Sequence, residues 1–556
     1  MIANVDILII GLYFAAIFII AWWVTRESRK GEVAGFGSKD YFLGGKSQGW
    51  VVIGASLFAS NIGSEHLVGL AGSGARGDMP AAQFELLASL ILLILGWVFV
   101  PLYLKSGVFT MPEFLEKRYS KSARNYLAVI SILAYVFTKI SITIFAGALV
   151  FEVLGVPFWT GATIVVIATG LYTVMGGLKA VLYTDLLQMV ILLVGSVAIT
   201  TYGILELGGV SSFMEQLTMS STDAGSISHL NLWRSMSDPD FPWTGILFGA
   251  PILGVWYWCT DQYIVQRVLA AKNISAARKG TIMGGFLKVL PLFIFVLPGV
   301  VAYALSMAPN GMTLEESDQA LPFMITQLLP GGLKGLVLAG LLAALMSSLS
   351  SVFNSCATLI TMDVFKQWRP QTKDKVLVRV GQWATVVLVI ISLLWIPFMR
   401  TMMEGSGIYT YLQSIQAYIS PPIAAVFLFG VFDKRITAKG ALSALWGGFI
   451  LGISRLVLEF LSKEEIISAL SGPLEFFVGT NFLHFALFLF IICTIILYAV
   501  SLWERSDFER YPEMLYNYVT LRQMPSTRSD FIMSLGLILL IIIVWVVFSP
   551  LGVAGM

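Results

Sequence analysis

The chain has 556 residues, of which 57% are hydrophobic and only 12% charged, and its mean hydropathy is +0.82. That profile excludes a large soluble core, gives no reason to expect nucleic acid as a partner, and predicts an all-α polytopic membrane protein. The net charge of +2 means little as a total; its placement along the loops is what carries information.

The first apolar run, residues 5–25, is long enough to cross the roughly 30 Å hydrocarbon core. No basic residue precedes it, and Arg26, Arg29 and Lys30 follow it. This is the reverse of a cleavable signal peptide and predicts a retained helix that starts outside. Further runs lie near 49–74, 81–103, 126–153, 158–176, 180–206, 243–266, 280–306, 333–362, 377–399, 408–431, 439–461, 482–503 and 530–550, about fourteen transmembrane helices in all. Lysine and arginine concentrate in residues 26–46, 105–124, 179, 267–279, 366–375, 434–439 and 505–528, which fall on every second connection. The long intervening loops 207–242 and 307–332 hold only Arg234 as a fixed positive charge. The alternation predicts both termini on the extracellular or periplasmic side of the plasma (cytoplasmic) membrane. Segments 207–242 and 504–529 are too short to bury a core and are expected to be loops with short interfacial helices.

The second run is the unusual one. Its centre, Ser60-Asn61-Ile62-Gly63-Ser64-Glu65-His66, puts a carboxylate, an imidazole and an amide at bilayer depth. Such a stretch survives only where protein encloses it or it lines a watery cavity, so a broken helix at a solute site is expected. A second polar group lies at Ala344-Leu345-Met346-Ser347-Ser348-Leu349-Ser350-Ser351. At 100° per residue Ala344, Ser347, Ser348 and Ser351 share one face, flanked by Ser350. Small residues there would allow close helix packing. Alternatively, freed carbonyls near Ala59 and Ile62 facing the serine hydroxyls would give a sodium ion the oxygen-only shell it prefers.

Other motifs point away from different chemistry. Cys259, Cys356 and Cys493 sit in apolar runs without metal-ligand spacing. Asn273-Ile274-Ser275 matches a glycosylation sequon but on the predicted cytoplasmic side. Leu43-Gly44-Gly45-Lys46-Ser47 ends like a phosphate-binding loop, yet Asp40 stands where that loop needs its first glycine. The chain is therefore not expected to be an enzyme, and its work must come from an ion gradient.

Residues 54–74, KSGVFTMPEFL at 105–115, Tyr183-Thr184-Asp185, WYWCTDQ at 256–262 with Gln266-Arg267, and Ser347-Ser348 with Phe353-Asn354-Ser355 resemble the sodium/solute symporter family, in particular its sodium/glucose cotransporter branch. The resemblance runs from the first helix past Pro421-Pro422 and fades after about residue 460. It implies a LeuT-type core of two inverted five-helix repeats with accessory helices. Residues 1–48 would hold the first accessory helix and a cytoplasmic loop, 49–206 the first repeat, 207–242 an extracellular loop, 243–432 the second repeat and 433–556 the C-terminal accessory helices. A polar interruption recurs at the start of each half, at 61–66 and 256–262, as expected of discontinuous helices around a midplane site.

Carried over by position, the resemblance places substrate contacts at Asn61, His66, Glu85, Tyr257, Trp258, Lys288 and Gln413, an inner gate at Tyr257, and an outer lid at Leu70, Phe84 and Tyr409. It places the common sodium site at the carbonyls of Ala59, Ile62 and Ala344 with the hydroxyls of Ser347 and Ser348. A second sodium site falls at Asp185, Ser347, Ser350 and Ser351, and the hydroxyl of Ser350 favours two ions per sugar. Gly254 stands where relatives offer a polar side chain, and Ser64-Glu65-His66 fits inositol carriers as well as hexose carriers. The implied partners are sodium as coupling ion, a hexose or polyol, and membrane lipid, with no obligate protein partner. Other readings of the same residues remain: Glu85 and Lys288 as a packing ion pair, His66 as a satisfied interior histidine, Gln413 as a helix cap, and Asp185 as an ordinary acid at a helix end. The chain could also be a symporter of another solute or a sugar-gated sensor.

Overall fold

The structure is a computed structural model that describes residues 3–30, 37–153, 155–220, 229–307, 314, 316–402, 408–463, 472–504, 514–516 and 526–555. Among the described residues every regular element is helical, and one isolated bridge pairs Gln48 with Ala271. Among the described residues eleven helices are long and apolar enough to cross a bilayer, and the bent pair Trp50–Asn61 and Ser64–Arg76 makes twelve. The longest, Phe158–Glu206, has 49 residues. At 1.5 Å per residue it would measure about 74 Å, over twice the hydrocarbon thickness. It is broken at Gly177, whose φ of 55° and ψ of −152° lie outside the helical region, so it provides two spans. The shorter apolar helix Gly245–Thr260, continued by Gln262–Leu269 past an extended Asp261, supplies one more. With these two additions the helix count reaches the fourteen expected.

Segment 207–242 contains a short helix, Val210–Ser220, with 221–228 outside the described residues. Most of 504–529 also lies outside them. The loop 307–332 holds a short helix at Ala320–Gln327.

Burial sorts the spans into a centre and a rim. The apolar window of Leu333–Trp368 is 94% buried, whereas those of the first span and of Arg528–Val547 are 22% and 28% buried. The rim helices turn residues such as Leu12, Ile19, Leu535 and Leu539 outward, the composition a lipid face requires. Centre helices approach through small residues: a Cβ built on Gly299 would overlap the Ala71 carbonyl, and one on Gly74 would overlap the Val296 carbonyl. The second half of the broken span, Ser64–Arg76, is thus seated backbone to backbone against Leu297–Met307.

Gly177 combines a positive φ with a Cβ position that would overlap the Tyr41 carbonyl. Gly177→Ala is expected to cost about 1–3 kcal/mol and to lower the thermal unfolding midpoint in detergent. Gly536→Ala, at a position with nothing within 4 Å, serves as the control and leaves the midpoint unchanged.

Candidate functional site

The second span breaks as its sequence predicts. Its two halves meet at 62°, with Ile62 (φ −80°, ψ 100°) and Gly63 (φ −100°, ψ −179°) both extended. The Gly63 N–H, which in an unbroken helix would serve the Ala59 carbonyl, is directed at His66 Nδ1 at 3.4 Å. The Ser60 carbonyl, also released from the ladder, accepts from Ser348 Oγ at 2.9 Å and from the Tyr263 hydroxyl.

Beside the break lies a narrow polar cavity whose wall includes Asn61, His66, Phe84, Glu85, Tyr257, Trp258 and Gln413. Its polar groups hold one another. Asn61 Nδ2 donates to the Tyr257 hydroxyl at 2.9 Å, Lys288 Nζ donates to Asn61 Oδ1 and Glu85 Oε2, and His66 Nε2 stands 3.7 Å from Glu85 Oε1. Lys288, fully buried, stands behind Asn61 and Glu85 rather than on the cavity wall. The Tyr257 and Trp258 rings meet edge to face at 5.2 Å, and Lys288 Nζ lies 5.2 Å from the Trp258 ring. Over the opposite side, Tyr409 packs on His66 at 5.8 Å and on Phe84 at 6.0 Å. Phe84 in turn meets Phe241 at 6.4 Å. Leu70 is buried on Ser64–Arg76 but is absent from the cavity wall.

The serines of Leu333–Trp368 face inward, all of them fully buried. Ser347 Oγ and Ser56 Oγ both donate to the Asp185 carboxylate at 2.5 Å. Ser350 Oγ donates to the Ser347 carbonyl at 3.0 Å, and Ser351 Oγ is buried without a partner. Asp185 makes no ion pair among the described residues; Ser56 links it to Arg267, which donates to Ser56 Oγ at 3.1 Å. Ala59, Ile62 and Ala344 are buried in the same core. Hydroxyls, freed carbonyls and a carboxylate make an oxygen-only set fit for a hard monovalent cation.

Lys139 and Glu65 were not among the predicted site residues, and the structure puts both there. Lys139 lines the cavity, donates to the Tyr257 hydroxyl at 3.1 Å and stands 3.5 Å from Glu65 Oε1, whose other oxygen accepts from Thr143 Oγ1 at 3.0 Å. The available signal was a single lysine inside the apolar run 126–153, since intramembrane charge is costly and usually functional. Beyond the ends of the spans, burial pushes the Asp78 and Asp240 carboxyls upward, and Arg76 draws both back.

A profile of the sodium:solute symporter family matches residues 41–448. The chain belongs to the sodium:solute symporter family. Among its relatives, sodium/glucose cotransporter 1 of Oryctolagus cuniculus is 40% identical over 528 residues, covering 90% of this chain and 79% of the relative. The sodium/myo-inositol cotransporter of Homo sapiens is 39% identical over 531 residues, covering 90% and 73%. A solved Na+-coupled sialic acid symporter in a substrate-bound outward-open state aligns at a TM-score of 0.75 with 20% identity, over 90% of this chain and 98% of that one. The symporter described here is therefore an integral membrane transporter with a LeuT-type fold, it is not an enzyme, and sodium is its coupling ion.

Breaking a buried ion pair from one side costs about 3–5 kcal/mol, whereas apolar replacement of both partners is far milder. Lys288→Met is therefore expected to lower the detergent unfolding midpoint more than Lys288→Met combined with Glu85→Leu, as differential scanning fluorimetry would measure.

Proposed function

We propose that this symporter carries a hexose of the glucose or galactose type into the cell, driven by two sodium ions per sugar, by alternating access across the plasma membrane. The observation that carries the reading is the polar cavity built on the break of the second span, whose freed Ser60 carbonyl is bonded to the serine face of Leu333–Trp368. A sugar presents hydroxyls that both donate and accept. Asn61, His66, Glu85 and Gln413 match its rim, and the Tyr257 and Trp258 faces suit its C–H surface. Lys288 acts through Glu85 and Asn61 by fixing their orientation. Tyr257 closes the path inward, and Phe84 with Tyr409 closes it outward.

The first sodium is held by the carbonyls of Ala59, Ile62 and Ala344 with Ser347 and Ser348, and the second by Asp185, Ser347, Ser350 and Ser351. Ion binding draws the broken span onto Leu333–Trp368 and assembles the sugar cavity in the outward-open form; inward opening loosens the same shell. Residues 49–206 and 243–432 act as the two repeats, and both termini lie outside. One charge falling through 100 mV yields about 2.3 kcal/mol, and a tenfold sodium gradient adds about 1.4 kcal/mol. Tight coupling then supports a several-hundredfold sugar accumulation per ion, and the square of that for two.

A second reading, a myo-inositol symporter, is favoured by near-equal identity to the two groups of relatives, 40% and 39%, and by the Ser64-Glu65-His66 sequence. Counterflow of labelled hexoses and inositol in sodium-loaded vesicles separates these, and a sensor would give current without counterflow. Sodium-dependent current should accompany uptake because the sugar is uncharged, and sugar uptake without such current would refute the reading. Ser350→Ala is expected to lower the Hill coefficient for sodium from near 2 toward 1 and the charge-to-sugar ratio likewise.

A further inference from the structure

Below the two sodium sites, Leu333–Trp368 carries more buried polarity than those sites use. Ser347, Ser351, Asn354, Thr358 and Thr361 recur at spacings of four, three, four and three, one narrow stripe on the helix. From Ser347 to Thr361 the stripe runs roughly 20 Å, from mid-membrane toward the end assigned to the cytoplasm. Every member is fully or almost fully buried. Thr358 satisfies itself by donating to the Asn354 carbonyl at 2.7 Å, the ordinary recourse of a helical hydroxyl. Asn354 cannot do the same. Its side chain is 1% exposed, and both of its amide atoms lack a partner, as do Ser351 Oγ and Thr361 Oγ1. A buried amide with neither donor nor acceptor met is rare in packed protein and calls for water or an ion.

At the far end the stripe is closed by a charged knot. Arg124 donates through Nε to Asp363 Oδ1 at 2.7 Å, through Nη2 to the Met362 carbonyl at 2.9 Å and through Nη1 to Glu116 Oε2 at 2.5 Å. Thr110 Oγ1 adds a bond to Asp363 at 2.8 Å, while Asp363 Oδ2 is left unmet.

We propose that Asn354 Oδ1, with water completing the shell, forms a resting station for sodium between the transport sites, whose last ligand on this helix is Ser351, and the cytoplasm, on a hydrated release path along this stripe that Arg124 and Asp363 close. The station's ligands are neutral oxygens with no carboxylate among them. It therefore binds weakly, as a release step demands of any site an ion must leave. The inference rests on the sodium sites proposed around Ser347 and on the cytoplasmic placement of Asp363.

The test measures sodium dependence separately from each side in oriented membrane patches. Asn354→Leu should raise the cytoplasmic sodium needed for half-maximal reverse transport at least tenfold while leaving the external requirement within twofold. A parallel shift on both sides, or none on either, overturns the station. Asn354→Cys in a Cys356→Ala background gives a second readout independent of turnover. A cationic thiosulfonate applied from the cytoplasm should modify it, and cytoplasmic sodium but not choline should slow the reaction; no modification, or equal slowing by choline, overturns the proposal. Ser348→Ala keeps the two readings apart, because an unchanged external sodium requirement in that variant refutes the transport site itself, whatever Asn354 does.

Discussion

The structure depends on the two backbone groups that the second span declines to pair with itself. In an unbroken helix the Ser60 carbonyl would be consumed by its own ladder. With the chain extended at Ile62 and Gly63, it is free to accept from Ser348 on Leu333–Trp368 and from Tyr263 on Gln262–Leu269. One peptide oxygen thereby ties together the break, the buried central span and the second half of the other discontinuous helix, Gln262–Leu269. Because all three meet at a single polar atom, a shift in any one of them is felt by the other two. In a medium where unsatisfied backbone is costly, that is a physical basis for linking ion binding to solute binding.

The cavity beside the break obeys a second constraint. Glu65, Lys139, Glu85 and Lys288 bring two anions and two cations into an almost dry interior, with His66 between the carboxylates. Each charge is tolerable only because an opposite one faces it. The pairs also leave the cavity-facing atoms engaged with each other, so an entering solute must replace every hydrogen bond it displaces. A solute with hydroxyls all round its rim can do this; one lacking a hydroxyl at the right place strands a buried polar group.

The rim of the molecule follows simpler rules. Outer helices such as Arg528–Val547 present large aliphatic side chains along one side and keep their few polar groups on the other, where Asp530 accepts from the Thr527 N–H, Ser534 accepts from Trp97 and Trp545 donates to Gln83. Glycines such as Gly74 and Gly299 occur where backbone touches backbone nearer the centre. Lipid thus sets the composition of the periphery, and close packing and polar satisfaction set that of the core.

The chain alone determined the membrane class, the position of the break at Ser60 to His66, the inward serine face and the division of the long run at 176–180. Each of these is a local contradiction: polar groups or a glycine set in an apolar run can be placed by periodicity and hydrocarbon solubility without knowing any neighbour. Only the folded structure decided which of those groups meet. It put Lys139 on the cavity wall, withdrew Lys288 behind Glu85, kept Leu70 off that wall, and left the Asn354 amide without a partner. A lone charge or amide in a sequence reveals that a partner is needed but not which one. The partner of Glu85 is 203 residues away, and only the packing of the spans brings it within reach.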